Sequence, residues 1–194
     1  DPRIREAVAQ LREEHAQDLA LGERLPEFGN GAPYAAHLMD QDRKSTGLKA
    51  LQGVIWEAGY QSGDLRGDVF PDVPEGFAAW HRAGLRVAIY ASGSVLAQKL
   101  LFAHTRHGDL TRLLSGHYDT RMGAKREVAS YRNIAVDLGV PAEFVLFLSD
   151  VVEELDAARE AGYRTGLLRR PGNAPAAANG HPEHPDFRGL IPAA

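Results

Sequence analysis

The chain contains no cysteine, which excludes a disulfide framework, a zinc–thiolate centre and a thiol nucleophile together. That absence fits a reducing compartment, and a cytoplasmic location is the expectation. Long apolar runs are missing as well. None exceeds five residues, as in the pentapeptide Phe144 to Leu148, far below the roughly 20 residues of a membrane-spanning helix. No signal-peptide pattern opens the chain, so no membrane partner is expected. Charge of one sign is also lacking. The 22 Lys and Arg and 26 Asp and Glu give a net charge of −4 and are mixed along the sequence. Without a basic stripe, nucleic acid is not an expected partner. There is no GxSxG, no P-loop and no GxGxxG word, so these routes to acyl transfer or nucleotide binding find no support.

The 194 residues present suffice to bury a hydrophobic core unaided by metals or disulfides. The first third reads as helical. Asp1 is a good N-cap and Pro2 suits a first turn, after which Ile4, Val8 and Leu11 recur on one face. Leu25 to Ala32 reads as a loop. A second helix is predicted from Ser45 or Thr46 to Ala58, with Leu48, Leu51 and Ile55 on one side and Gly59 as its cap. Gln61 to Asp72 reads as a Gly- and Asp-rich connector. Residues 1–67 therefore form a helical module.

Beyond it the period changes. Pro74 opens a helix holding Phe77 and Trp80 and ended by Gly84. A strand follows over 86–91, then a helix from Ser94 and a short strand near 118–121. The remaining elements are a helix over 125–138, a strand over 144–149, a helix over 151–161 and a strand over 164–168. This alternation predicts an α/β fold, a Rossmann-like parallel sheet with helices on both faces, over residues 68–173. The apolar runs at 86–91 and 144–149 read as strands buried on both faces. Residues 174–194 read as a loose tail.

In such sheets, sites gather at the carboxyl ends of the strands, and three polar features fall there. Ser92-Gly93-Ser94 opens a helix after the first buried strand; it is either an anion cradle of free N–H groups or a simple helix cap. Asp150 ends the second buried strand. Its carboxylate suits magnesium, and with Glu153 it also has the spacing of a capping box. Lys125 sits at a predicted helix start, where a cation opposes the macrodipole, or is an ordinary solvated lysine. The eight histidines, including His104, His107, His181 and His184, read as structural or exposed.

The order of these features, a Ser-Gly turn, then a lysine, then an aspartate, resembles the second, third and fourth motifs of the haloacid dehalogenase superfamily. Longer words sharpen the likeness. Asp40-Gln-Asp-Arg-Lys-Ser-Thr-Gly-Leu-Lys-Ala-Leu-Gln-Gly53, Tyr90-Ala-Ser-Gly-Ser-Val-Leu-Ala-Gln-Lys-Leu-Leu-Phe102, Gly116-His-Tyr-Asp-Thr120 and Arg170-Pro-Gly-Asn173 resemble the enolase-phosphatase family over residues 1 to about 173. The resemblance implies a cytoplasmic, monomeric, Mg2+-dependent phosphatase acting on a small phosphate ester. Its members enolise and dephosphorylate a diketo-methylthiopentyl phosphate in methionine salvage. It implies that Ser92 and the Gly93 backbone grip the phosphoryl group, that Lys125 neutralises charge between nucleophile and phosphate, and that Asp150 fixes Mg2+. Glu153 or Glu154 would support the metal indirectly, and residues 1–67 would be a cap. Two other readings stay open: another capped phosphomonoesterase of the superfamily, or a non-catalytic phosphate-binding module.

The family's first motif, an Asp-Ile-Glu-Gly-Thr word on a central strand, carries the nucleophile and a metal ligand. No such word occurs in these 194 residues, which begin at Asp1 rather than Met. The resulting expectation is an N-terminally truncated form, inactive by itself and lacking the first central strand. A processed or tag-cleaved terminus is the alternative for Asp1.

Overall fold

In a computed structural model, which describes residues 1–190, the first 66 residues fold as a compact unit by themselves. Three helices build it: α1 (Pro2–Ala20), α2 (Ala32–Asp40) and α3 (Thr46–Ser62). The caps read from sequence are in place. The Asp1 carboxylate accepts from the Arg3 N–H at 2.9 Å, and the Ser45 hydroxyl accepts from the Leu48 N–H at 2.9 Å. Two boundaries differ from expectation. α3 runs through Gly59 and ends at Gly63, whose φ of 80° supplies the left-handed stop. α2 is an extra helix, in a stretch left without an element after the loop predicted to end at Ala32.

Leu11, Phe28, Tyr34, Leu38 and Leu48 form the core of this unit. Asp18 is buried inside it. Burial alone would raise its carboxyl, but the Tyr34 hydroxyl and the Arg43 guanidinium, each at 2.5 Å, more than offset this and hold it below the ordinary range. α1 and α3 touch at Gly47, where an added Cβ would lie 2.7 Å from the Leu11 backbone nitrogen. Only a glycine lets the two helices approach so closely.

The second unit begins at Gly67. Its elements are α4 (Val73–Arg82), β1 (Ala88–Tyr90), α5 (Val95–Ala103), β2 (Gly116–Tyr118), α6 (Val128–Leu138), β3 (Leu146–Ser149), α7 (Val152–Glu160), β4 (Arg164–Leu168) and β5 (Glu183–His184). β1 pairs with β2, β3 with β4 and β4 with β5, all in parallel. Alternate residues of β1 and β3 face opposite ways. Ile89 and Leu148 join Val73, Phe77 and Trp80 on one face, while Tyr90 and Phe147 join Tyr131, Ala157 and Tyr163 on the other. Helices thus cover both faces, as expected of the haloacid dehalogenase-like α/β class.

The strands nevertheless form two hydrogen-bonded sheets, β1-β2 and β3-β4-β5. β1 and β3 share both apolar clusters but each leaves one backbone edge unpaired among the described residues. This corrects the expectation of strands buried on both faces: Leu146 is 43% exposed and Phe144, ahead of β3, 77%. Open parallel edges of this kind invite pairing with other chains. The 194-residue chain is therefore expected to melt at low temperature and aggregate, read by calorimetry with light scattering. A reversible, cooperative melt at high temperature would contradict this.

The loose-tail expectation is also corrected within residues 180–190; the notionally loose residues 191–194 lie outside the described ones. β5 adds a strand beside β4, and Phe187 packs on Trp80 with ring centroids 4.9 Å apart. The Trp80 indole N–H donates to the Leu190 carbonyl at 2.9 Å. His181 is fully buried, its ring nitrogens on Thr165 Oγ1 (2.8 Å) and Asp156 Oδ1 (3.0 Å). A Pro- and Gly-rich segment carries little periodicity, and its order comes from these long-range contacts rather than from local preference.

Candidate active site

The turn Ser92-Gly93-Ser94 leaves the end of β1. Ser94 caps α5, its hydroxyl accepting from the Ala97 N–H at 3.2 Å, so the capping alternative holds for this residue. Ser92 remains exposed. No acceptor among the described residues meets the N–H groups of Ser92, Gly93 or Ser94. An added Cβ at Gly93 would touch nothing within 4 Å, so the fold itself does not demand glycine there and the surface above it is open. Adjacent free donors at a helix mouth suit an anion. Asp119, buried at the end of β2, accepts from the Val95 N–H (3.3 Å) and from the Arg121 N–H and Nε (3.0 and 2.9 Å). Burial pushes its carboxyl up, and these donors bring it below the ordinary range.

Lys125 does not open a helix. α6 begins at Val128, and Lys125 occupies the tight turn before it, closed by the Glu127 N–H on the Ala124 carbonyl at 3.0 Å. The backbone that carries it is pinned by donors on consecutive carbonyls. Asn133 Nδ2 donates to Met122 (3.2 Å), the Tyr90 hydroxyl to Gly123 (2.9 Å), the Ser130 hydroxyl to Ala124 (2.8 Å) and the Tyr131 hydroxyl to Lys125 (2.6 Å). A loop whose carbonyls are all satisfied by the protein has little reason to rearrange. Gly123 has φ 123°, and a Cβ on it would lie 2.1 Å from Ser130 Oγ, so this loop admits glycine alone. The Lys125 ammonium pairs with Glu154 Oε2 at 2.7 Å, and the buried Glu154 also accepts from the Ser149 hydroxyl at 2.8 Å. A buried carboxylate requires such partners.

Asp150, exposed at the end of β3, is not part of a capping box, which corrects that reading. The position before α7 is Val151, whose N–H donates to Ser149 Oγ at 3.1 Å. The Asp150 carboxylate instead accepts from Asn173 Nδ2 at 2.5 Å. Asn173 closes a turn on Arg170, and Arg170 makes a bidentate pair with buried Asp72 at 2.6 and 2.7 Å. The guanidinium also lies over the Phe70 and Phe187 rings, 4.3 and 4.8 Å from their centroids. Glu153 faces outward, exposed.

Contacts thus chain the three predicted features together: Tyr90 of β1 to the Lys125 loop, Lys125 to Glu154, and Glu154 to Ser149 beside Asp150. Sequence reading does not single out Tyr90, Ser130, Tyr131, Asn133 or Asn173. Of the two acids the sequence offered after Asp150, it is Glu154 that turns inward to meet Lys125, while Glu153 stays outside. Among the described residues, no three His, Cys, Asp or Glu side chains cluster to hold a metal. Asp150 offers one hard carboxylate, a number that magnesium accepts when waters and phosphate oxygens complete its octahedron.

A parallel α/β fold that carries a Ser-Gly turn with free N–H groups, a pinned lysine and a carboxylate at its strand ends suits a hydrolase that handles phosphoryl groups. The family profile of haloacid dehalogenase-like hydrolases matches residues 2–162. An enolase-phosphatase E1 from Synechococcus elongatus is 50% identical over 179 residues, covering 90% of this chain and 74% of that protein. The Pectobacterium carotovorum enolase-phosphatase E1 is 52% identical over 170 residues, covering 88% and 72%. The crystal structure of the Saccharomyces cerevisiae Unknown transcript 4 protein aligns with a TM-score of 0.76 at 35% identity, over 97% of this chain and 89% of that one. The chain belongs to the enolase-phosphatase family of the haloacid dehalogenase-like hydrolases.

Proposed function

We propose that these residues supply the phosphate-gripping and charge-compensating part of an enolase-phosphatase that converts 2,3-diketo-5-methylthiopentyl 1-phosphate to its acireductone and inorganic phosphate. The observation that carries this reading is the pinned Lys125 loop, because phosphoryl transfer depends on fixed positive charge and positioning more than on covalent novelty. Ser92 and the free N–H groups of Gly93 and Ser94 bind the phosphoryl oxygens. Lys125 compensates their charge, and Glu154 holds its ammonium in place. Asp150, oriented by Asn173, contributes one carboxylate to a magnesium ion, which when bound would neutralise further phosphate charge. The helical unit, Asp1–Arg66, serves as the cap, and the enzyme acts in the cytoplasm as a monomer.

The Asp-Ile-Glu-Gly-Thr word that bears the family's nucleophile is not among these residues. The test is to assay the 194-residue chain beside a longer form in which that word precedes Asp1. Phosphate release from the diketo ester, with the new ultraviolet absorbance of the enolised product, is expected from the longer form alone. Robust metal-dependent turnover by the short chain would sink the assignment of the missing aspartate as nucleophile. Phosphate release without the chromophore would instead favour another capped phosphomonoesterase.

A further inference from the structure

Gln98 lies on the inward side of α5 and is buried. Its amide nitrogen donates twice, to the Gly93 carbonyl at 3.0 Å and to the Tyr118 carbonyl at 2.7 Å. Two carbonyl acceptors admit only the NH2 end of a glutamine, so the amide cannot turn over. Its oxygen then faces His117 Nδ1 at 3.3 Å and accepts a hydrogen bond from that N–H. Burial and the nearby Lys99 hold His117 below its ordinary range, so the ring stays neutral with Nδ1 as the donor. The amide is thereby held at both ends.

The consequence for the turn follows from peptide geometry. In a planar trans peptide the carbonyl and the following N–H point in opposite directions. Drawing the Gly93 carbonyl down onto Gln98 therefore turns the Ser94 N–H away from the protein interior, and no acceptor among the described residues meets it. We infer that Gln98 is a positioning residue for anion binding: it holds the Gly93–Ser94 peptide in the orientation that offers its N–H to a phosphoryl oxygen, without itself touching the ligand. The inference rests on the phosphate-gripping role proposed above for this turn.

The experiment is an amide NMR titration of the full 194-residue chain with inorganic phosphate, run in the cold and dilute, below the expected melt. The wild type is expected to show saturable shifts at Gly93 and Ser94, with the Gln98 side-chain amide protons shifting at the same phosphate concentrations. Gln98→Met keeps length and bulk but removes the donors, and its phosphate affinity should fall about tenfold, the worth of one well-placed hydrogen bond. Ile134→Val, a buried substitution on α6, serves as the comparator for a purely structural loss. It should lower the melting temperature while leaving phosphate affinity unchanged. If the wild type binds no phosphate at this turn, the functional reading falls and takes the inference with it. If it binds and Gln98→Met binds equally well, only the inference falls. Should Gln98→Met not fold, Gln98 side-chain protons in the wild type that ignore phosphate overturn it.

Discussion

Replacing Arg170 by methionine is expected to cost the α/β unit about 3–5 kcal/mol, because it strands a buried carboxylate. Arg170 and Asp72 are 7% and 5% exposed and share two hydrogen bonds at 2.6 and 2.7 Å. The Arg170 hydrogen bond holds the Asp72 carboxyl down at about 2, against an ordinary 3.8, with help from the Phe187 N–H. The sign of the pH effect follows. A depressed folded pKa stabilises above the unfolded value, so this contribution is complete above about pH 4 and is lost as pH falls towards 2, at about 2 kcal/mol in all. Denaturant midpoints measured from pH 5 to pH 2 should fall steeply for the wild type and more shallowly for Arg170→Met. Removing both partners as Asp72→Leu with Arg170→Met should cost less than the sum of the single changes. It should not be neutral, because the Phe187 N–H loses its acceptor. Equal slopes in wild type and variant would remove the ion pair from the account of acid stability.

The second large effect concerns the lysine. In a form of the protein that carries the nucleophile word, Lys125→Met should lower kcat by about 10²–10³-fold, the usual loss when a preorganised charge is removed from phosphoryl or acyl transfer. Glu154→Gln should act through the same group. It keeps the shape and one acceptor for Ser149 but drops the charge that holds the ammonium at 2.7 Å. The expected signature is an intermediate kcat with little change in KM. A kcat for Lys125→Met within twofold of wild type would show that the pinned loop serves the fold and not the reaction.

Much of this arrangement was legible in the sequence because its causes are local. Asp1, Ser45 and Ser94 cap the helices they precede, and β4 spans the predicted Arg164–Leu168. The strand-end positions of Ser92 and Asp150 followed from alternation alone. What was not legible depends on distant partners. Asp150 and Glu153 have capping-box spacing, yet Asp150 turns to Asn173, 23 residues away. Lys125 looked like a helix opener because Val128, Tyr131 and Ile134 set a helical period that extends backwards past the true start. The four donors holding its loop come from β1 and α6, and no spacing rule announces them. The apolar runs at 86–91 and 144–149 exceed the strands they form, since each strand keeps one edge without a described neighbour.

The seating of Phe187 and Leu190 against α4 bears on how the chain reaches its native state. The Asp72–Phe187 and Trp80–Leu190 hydrogen bonds close loops of 115 and 110 residues. Pairings so far apart in sequence form slowly, because the closure entropy precedes any reward. During synthesis Ile89 and Phe102 can cover part of the apolar face of α4 soon after it emerges, but the share belonging to Phe187 and Leu190 stays open until more than a hundred further residues have been made. The interval between those events is when the nascent polypeptide most needs a chaperone.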